Sequence, residues 1–317
     1  MGTAVTSRRS TAGFWSSASS FFLPAGNQVD REGVRGYPID MRVKADSPVW
    51  PRPNLVGKDA LYASVAQYGL GCYELWLAGD GQMWLDTALQ VGEHLVARQR
   101  PDGVWPHEVE FPHTQRVKAP WCSGLAQGEG ASLLVRLHLE TGDARFADAA
   151  RLGLVPLSVP QADGGVRGDL GGHPWPEEYP TTPESHVLNG AVFALWGFRD
   201  VALGLDDAEA GRAFEAGLDS LVANLERYDT GYWSMYSLFP HPIRNPASSF
   251  YHALHISQLT VMEQLTGRTE LLKVRDRWQG YADSALCRRR AFAHKAMFRL
   301  LVPRNRLLAR RLPWTRP

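Results

Sequence analysis

Three loops of this 317-residue chain concentrate the side chains that move protons. WPHEVEFPHTQRVKAPW occupies 105–121, GGHPWPEEYPTTPESH occupies 171–186, and YDTGYWSMYSLFPHPIRNPASSFYH occupies 228–252. Loops of this length, rich in Trp, Tyr, His and Pro, are usually functional. Carboxylates and tyrosines suit general acid–base work. A carboxylate in a partly buried pocket has a raised pKa and acts as a base near neutral pH. A tyrosine near a cation acts as an acid or, once ionised, as a base. The blander fate of Glu177-Glu178 is a surface pair before a turn, and that of Tyr236 and Tyr251 is a core ring with a bonded hydroxyl. The chain has no P-loop, GxGxxG, GxSxG, HExxH or EF-hand pattern, so nucleotide, hydride and serine-hydrolase chemistry lack support.

The elements that must hold these loops are helical. From about residue 59, apolar residues recur at i, i+3, i+4 and i+7 in KDALYASVAQYGLGCYELWLA and QMWLDTALQVGEHLVARQR. Further pairs are expected at about 123–141 and 145–153, 184–204 and 207–227, and 249–266 and 269–285. The first helix of each pair carries an amide or imidazole in an apolar setting: Gln67, Gln127, Asn189, then His255 with Gln258. The roughly 60-residue recurrence reads as an internal repeat. Repeated hairpins close into a solenoid or a ring, and in a ring the first helices face inward. Each amide alone reads as a satisfied buried group; four in register read as the lining of a central cavity. The same question hangs over SSFYHALHISQL (248–259), either a polar face on a ligand or a core helix.

Composition sets the remaining bounds. A 44% hydrophobic chain of this length supports a large core. Cys72, Cys122 and Cys287 are far apart with no metal spacing, and are expected as free thiols in a reducing compartment. Arg8-Arg9 hints at a twin-arginine signal, but no continuous apolar run or cleavage site follows, and no stretch approaches a spanning helix. Residues 287–317 hold ten Lys or Arg and no acid, which leaves the rest of the chain near −9 against a net charge of +1. Basic residues gather only there, which argues against nucleic acid. A basic tail on an acidic body, with apolar residues at partly helical spacing, points to peripheral contact with a membrane surface. The expected location is cytoplasmic, with the tail at the inner membrane face. Residues 1–58, rich in Gly, Pro, Ser and aromatics, are expected as a β-rich or irregular N-terminal portion, with YPIDMRV as a strand. Residues 59–285 form the helical domain and 286–317 the basic tail.

EEYPTTPESHVLNG (177–190) closely resembles the hallmark of the D-glucuronyl C5-epimerase C-terminal domain. WCSGLAQGEGASLLVRLHLETGD (121–143), SVAQYGLGCYELW (64–76), GVWP (103–106), YDTGYWSMYSL (228–238) and FYHALHISQL (250–259) resemble its other blocks, in order. The resemblance implies a mainly α fold: an (α/α) toroid, here of about four hairpins, after a small β-rich portion. It implies inversion at C5 of a hexuronic acid in a polysaccharide, D-glucuronate to L-iduronate, with no organic cofactor or metal and with a homodimer as one option. By position, the catalytic set is Glu178 and Tyr251 as opposed acid and base, with Tyr179 and Tyr236 in support. Gln67, Trp105, Gln127, Asn189, Arg244, His252 and His255 are the expected substrate-binding set. The sequence departs from the family's YDLRH and ARWDYH at Tyr236–Pro240 and Ala247–His252. Arg244, Arg116 or Lys118 could replace the lost charges, and a polymer other than heparan is expected. The alternatives are a polysaccharide lyase, which begins with the same C5 proton abstraction, and an inactive glycan-binding homologue.

Overall fold

The computed structural model describes residues 30–58, 60–112, 114 and 116–303. The twin-arginine reading and the end of the basic tail lie outside the described residues. The chain is mainly helical. Four helix pairs follow one another: α1 (Tyr62–Leu77) with α2 (Gln82–Arg98), α3 (Gly124–Thr141) with α4 (Ala144–Ser158), α5 (Leu188–Gly204) with α6 (Ala208–Asn224), and α7 (Ser249–Thr266) with α8 (Glu270–Asp283). A ninth helix, α9 (Ala285–Leu301), follows directly. The caps explain many of the boundaries. Ser123, Asp143, Asp207, Ser248 and Ser284 accept backbone N–H groups in the first turns of α3, α4, α6, α7 and α9. Gly142 and Gly267 end α3 and α7 in the left-handed conformation.

The first helices of the pairs pack side by side in the order α1, α3, α5, α7, and each second helix covers its partner from outside. Burial follows that order. Gly124–Leu137 of α3 and Leu188–Val201 of α5 are buried on every side, whereas α2 buries only Thr87, Ala88, Val91, Gly92 and Leu95. The α3 and α5 backbones touch: a Cβ on Gly197 would lie 2.5 Å from the Gly128 Cα. Only glycine permits that approach.

Among the described residues the sheet content is two small hairpins inside loops. β1 (Phe111–Pro112) pairs with β2 (Arg116–Val117), and β3 (Arg167–Asp169) with β4 (Pro174–Pro176), both antiparallel. The strand expected at YPIDMRV is absent. Residues 30–58 form an irregular strip with one 3-10 turn at Arg42–Lys44. Its backbone is held by side chains of the helices rather than by a sheet. Glu74 accepts from Tyr37 N at 2.8 Å, Arg136 donates to Gly36 O at 2.8 Å, and Arg199 donates to Asp30 O at 2.7 Å. Arg136 and Asp200 form a fully buried pair at 2.6 Å beneath it. Residues 285–303 are likewise no free tail: α9 packs on the 228–247 loop through buried Ala291 and Phe298. No described helix is long and apolar enough to cross a membrane.

Candidate active site

A cavity of about 390 Å³ opens between the inner helices. Its walls come from Ala63 and Gln67 of α1, Leu125 of α3, Asn189 and Phe193 of α5, and Phe250, Tyr251 and Leu254 of α7. Glu178 enters from the 171–186 loop, and Asp40, Met41, Val43 and Lys44 of the N-terminal strip close one side.

Glu178 is fixed by its neighbour. Glu177 is fully buried and ties its own loop together: Oε2 accepts from the Ser185 hydroxyl at 2.7 Å and from His186 N at 2.8 Å, and Oε1 sits 2.6 Å from His186 Nδ1. Glu177 O also accepts from Gly124 N at 3.0 Å, which pins the loop to the start of α3. The next side chain is thereby turned against the first turn of α5, so close that a Cβ on Gly190 would lie 2.4 Å from Glu178 Oε2. Burial pushes the Glu178 carboxyl up to about 7, opposed by a hydrogen bond with the Tyr179 side chain. Oε2 has no hydrogen-bond partner among the described residues. Glu177, Glu184 and His186 place metal-type ligand atoms within 4.8 Å of one another. The bonds just given account for Glu177 and His186 as a buttress for the loop.

Three tyrosines gather beside Glu178. Tyr236 and Tyr251 meet edge to face at 4.8 Å, and Tyr179 lies 5.8 Å from the Trp121 ring. Burial and the nearby Glu178 carboxylate raise the Tyr179 hydroxyl well above its usual range, so it stays protonated and donates. Tyr251 is placed by the α7 cap, where Ser248 Oγ accepts from Tyr251 N. Lys295 Nζ lies 5.9 Å from the centre of the Tyr236 ring.

The repeat-register polar residues divide. Gln67 and Asn189 reach the cavity. Gln127 does not: its Oε1 accepts from Trp105 N at 3.0 Å, and its Nε2 donates to Gly103 O at 2.9 Å and to Gly153 O at 2.6 Å. Trp105 is fully buried, wedged between Gly130 and Gly153, with its indole N–H on Leu95 O at 2.9 Å. Neither can bind substrate where it stands. His252 and His255 are also core groups. His252 stacks on Trp233 at 3.6 Å and lies 3.0 Å from Trp278 O; both imidazoles meet the Ser234 hydroxyl. Burial drives both pKa values down, that of His252 to about 3, so both stay neutral. Arg244 is exposed and lines no part of this cavity. The opening alternatives of α7 are therefore both realised, with Tyr251 on the cavity and the histidines in the core. Gln127→Leu should cost about 1–3 kcal/mol in urea unfolding, because Trp105 N loses its acceptor and Gly103 O and Gly153 O each lose a donor.

Two groups escaped the sequence reading. Lys44 is the one cation on the cavity wall among the described residues; it hid in a stretch read as a separate portion. Glu129 is fully buried behind Gln67, whose Nε2 donates to its Oε1 at 3.0 Å, and burial pushes its carboxyl up. An acid within the Gly-rich apolar run GLAQGEG was the available signal. A second, wider groove of about 1080 Å³ runs past Arg116, Lys118, Trp121 and Pro180–Thr182, the last directly after Tyr179.

Residues 99–280, more than half the chain, match the family model described as the D-glucuronyl C5-epimerase C-terminus. The chain belongs to that family. It is 36% identical over 207 residues to a D-glucuronyl C5-epimerase of Caenorhabditis elegans, covering 59% of this chain and 33% of that protein. It is 28% identical over 180 residues to an uncharacterised protein of Methanocaldococcus jannaschii, covering 56% of this chain and 57% of that protein. The chain thus spans a third to rather more than half of these relatives. The match contains every inner helix from α3 to α7, the Glu177–Glu178–Tyr179 loop, Tyr236 and Tyr251. The strip that supplies Lys44 lies outside it, so this C5-epimerase-family cavity is completed by residues that the family model does not reach.

Proposed function

We propose that the protein is a polysaccharide uronate C5-epimerase. The observation that carries this reading is a buried carboxyl with a pKa near neutrality, Glu178, facing the same cavity as Tyr251, with two further tyrosines packed around them. The C5 hydrogen of a glucuronate unit lies next to the carboxyl carbon. Removing it leaves an enediolate-like intermediate, and returning a proton to the other face inverts the centre. Glu178 is suited to take the proton: at pH above about 7 it is ionised, and burial makes it a stronger base than an exposed carboxylate. Tyr251 is assigned to the opposite face of the ring, where it delivers the proton. Tyr179, held protonated, donates to Glu178 or to the developing oxyanion.

Unsatisfied acceptors support a hydroxylated ligand. Glu178 Oε2 and Asn189 Oδ1 belong to residues of the cavity wall and are buried without hydrogen-bond partners among the described residues. Sugar hydroxyls are donors of the kind such oxygens require. Lys44 takes the place foreseen for Arg244 as the partner of the uronate carboxylate, and the groove past Arg116 and Lys118 offers a path for neighbouring anionic units. Lys44→Met is accordingly expected to raise KM about tenfold or more with a smaller change in kcat, as loss of one charge-assisted contact does. The test of the reading is product analysis: incubation with unsulfated glucuronate polymers should yield iduronate units detectable by NMR. Unsaturated ends absorbing in the near ultraviolet would instead make the protein a lyase.

A further inference from the structure

The ninth helix is amphipathic the wrong way round for a free surface. Of the large apolar side chains left exposed, four sit on α9: Leu286 at 77%, Phe292 at 74%, Met297 at 50% and Leu300 at 78%. Those elsewhere, such as Val49, Met83 and Leu139, come from separate elements and need no explanation. At about 100° per residue, Phe292, Ala296, Leu300, Ala293, Leu286 and Met297 follow one another around one side of α9. Arg288 and Arg299 fall at one edge of this stripe, Arg290 at the other and Arg289 within it.

The opposite side of the helix is committed. Ala291 and Phe298 are buried, His294 is bonded to the Tyr232 hydroxyl, and Lys295 donates to Asn245 Oδ1 and Pro246 O at 2.8 and 2.7 Å. The apolar stripe therefore cannot roll inward. Arg288 donates to Ala282 O and Asp283 O, Arg299 to Thr114 Oγ1, and Arg290 lies 3.9 Å over the Tyr232 ring.

We propose that α9 docks the protein on an anionic lipid surface, with the Leu286–Leu300 stripe in the acyl boundary and the flanking arginines at the headgroups. An outward apolar arc edged by cations is the pattern that such an interface selects. The charge is one-sided: residues 287–317 hold ten Lys or Arg and no acid, and five of the arginines follow Pro303. A second copy is the poorer occupant, because an isologous contact would bring together two copies of a stripe edged by cations, with no acid from residue 287 onward to offset them. The side of α9 opposite the stripe faces the candidate site, where Lys295 Nζ lies 5.9 Å from the centre of the Tyr236 ring. This inference does not rest on the epimerase reading.

The experiment is co-sedimentation of the full chain with vesicles of phosphatidylcholine alone or mixed equally with phosphatidylserine, with light scattering on the same samples. Wild type should partition to the anionic vesicles at least about tenfold better, with binding falling as salt rises. Phe292→Glu/Leu300→Glu should lower partitioning roughly tenfold or more, and Arg289→Gln about fivefold, with unchanged circular dichroism. Equal binding by wild type and the double glutamate variant would overturn the proposal, since charge alone would then suffice. So would failure to bind either vesicle, or a wild-type dimer that the double variant splits without any lipid binding.

Discussion

Glu178→Gln should slow C5 proton exchange by at least about a hundredfold while leaving the fold intact, since removing a general base costs roughly 10²–10⁴ in rate. The amide is nearly isosteric with the acid, so Gly190 still fits against it, but it cannot take a proton. In the wild type, the carboxyl must be ionised to act. Its pKa is raised to about 7, so the rate should climb as pH rises through about 7, two units or more above where an exposed glutamate would give the same rise. The variant should lose that ascending limb along with the activity. A Glu178→Gln enzyme of near-normal turnover, or a rising limb retained near pH 7, would remove Glu178 from the chemistry. Equilibrium binding of a glucuronate polymer separates the two roles, because a residue that only binds substrate would weaken affinity rather than kcat.

The largest effect on stability is expected at Asp200. It forms the fully buried pair with Arg136 at 2.6 Å, and Arg136 in turn donates to Gly36 O and Ser132 O. Asp200→Ala leaves a guanidinium buried without its counter-charge, which typically costs about 3–5 kcal/mol. At roughly 2–4 °C per kcal/mol for a large domain, the midpoint should fall by about 10 °C. Thermal unfolding followed by circular dichroism reads this directly, and a fall of under about 1 kcal/mol would show that the pair is not the anchor described. The consequence reaches the cavity. The pair lies under the strip that carries Asp40–Lys44, so amide exchange in residues 33–44 should quicken in the variant before the helices open.

The helices were legible because their signals are local. The 3.6-residue apolar period alone places all four pairs within about five residues of where they lie. In the N-terminal portion, expected as β-rich or irregular, the irregular alternative describes residues 30–58 and the strand at YPIDMRV does not form, because the order there comes from tertiary partners. Alternation in YPIDMRV looks like a strand, but Glu74, Arg136 and Arg199 bond backbone groups around it, and no strand among the described residues pairs with it. That error also hid Lys44.

The site was half legible. Glu178, Tyr251, Gln67 and Asn189 share the cavity. Gln127 and His255 sit in the same sequence register but turn into the core, as does His252, where carbonyls and Ser234 await them. Periodicity gives the helix, yet it cannot give the rotation of each side chain relative to partners sixty residues away. The amide at 127 holds Gly103 and Gly153 together, and the one at 67 lines the cavity while it donates to Glu129 behind it.

The central claim, that this cavity carries a proton to and from a uronate C5, is tested most directly by incubating the wild-type protein with glucuronate polymers in deuterated water and reading deuterium at C5 by NMR. The account predicts deuterium at C5 in polymer chains of unchanged length, without unsaturated ends. Polymer that binds yet returns with only hydrogen at C5 would contradict it.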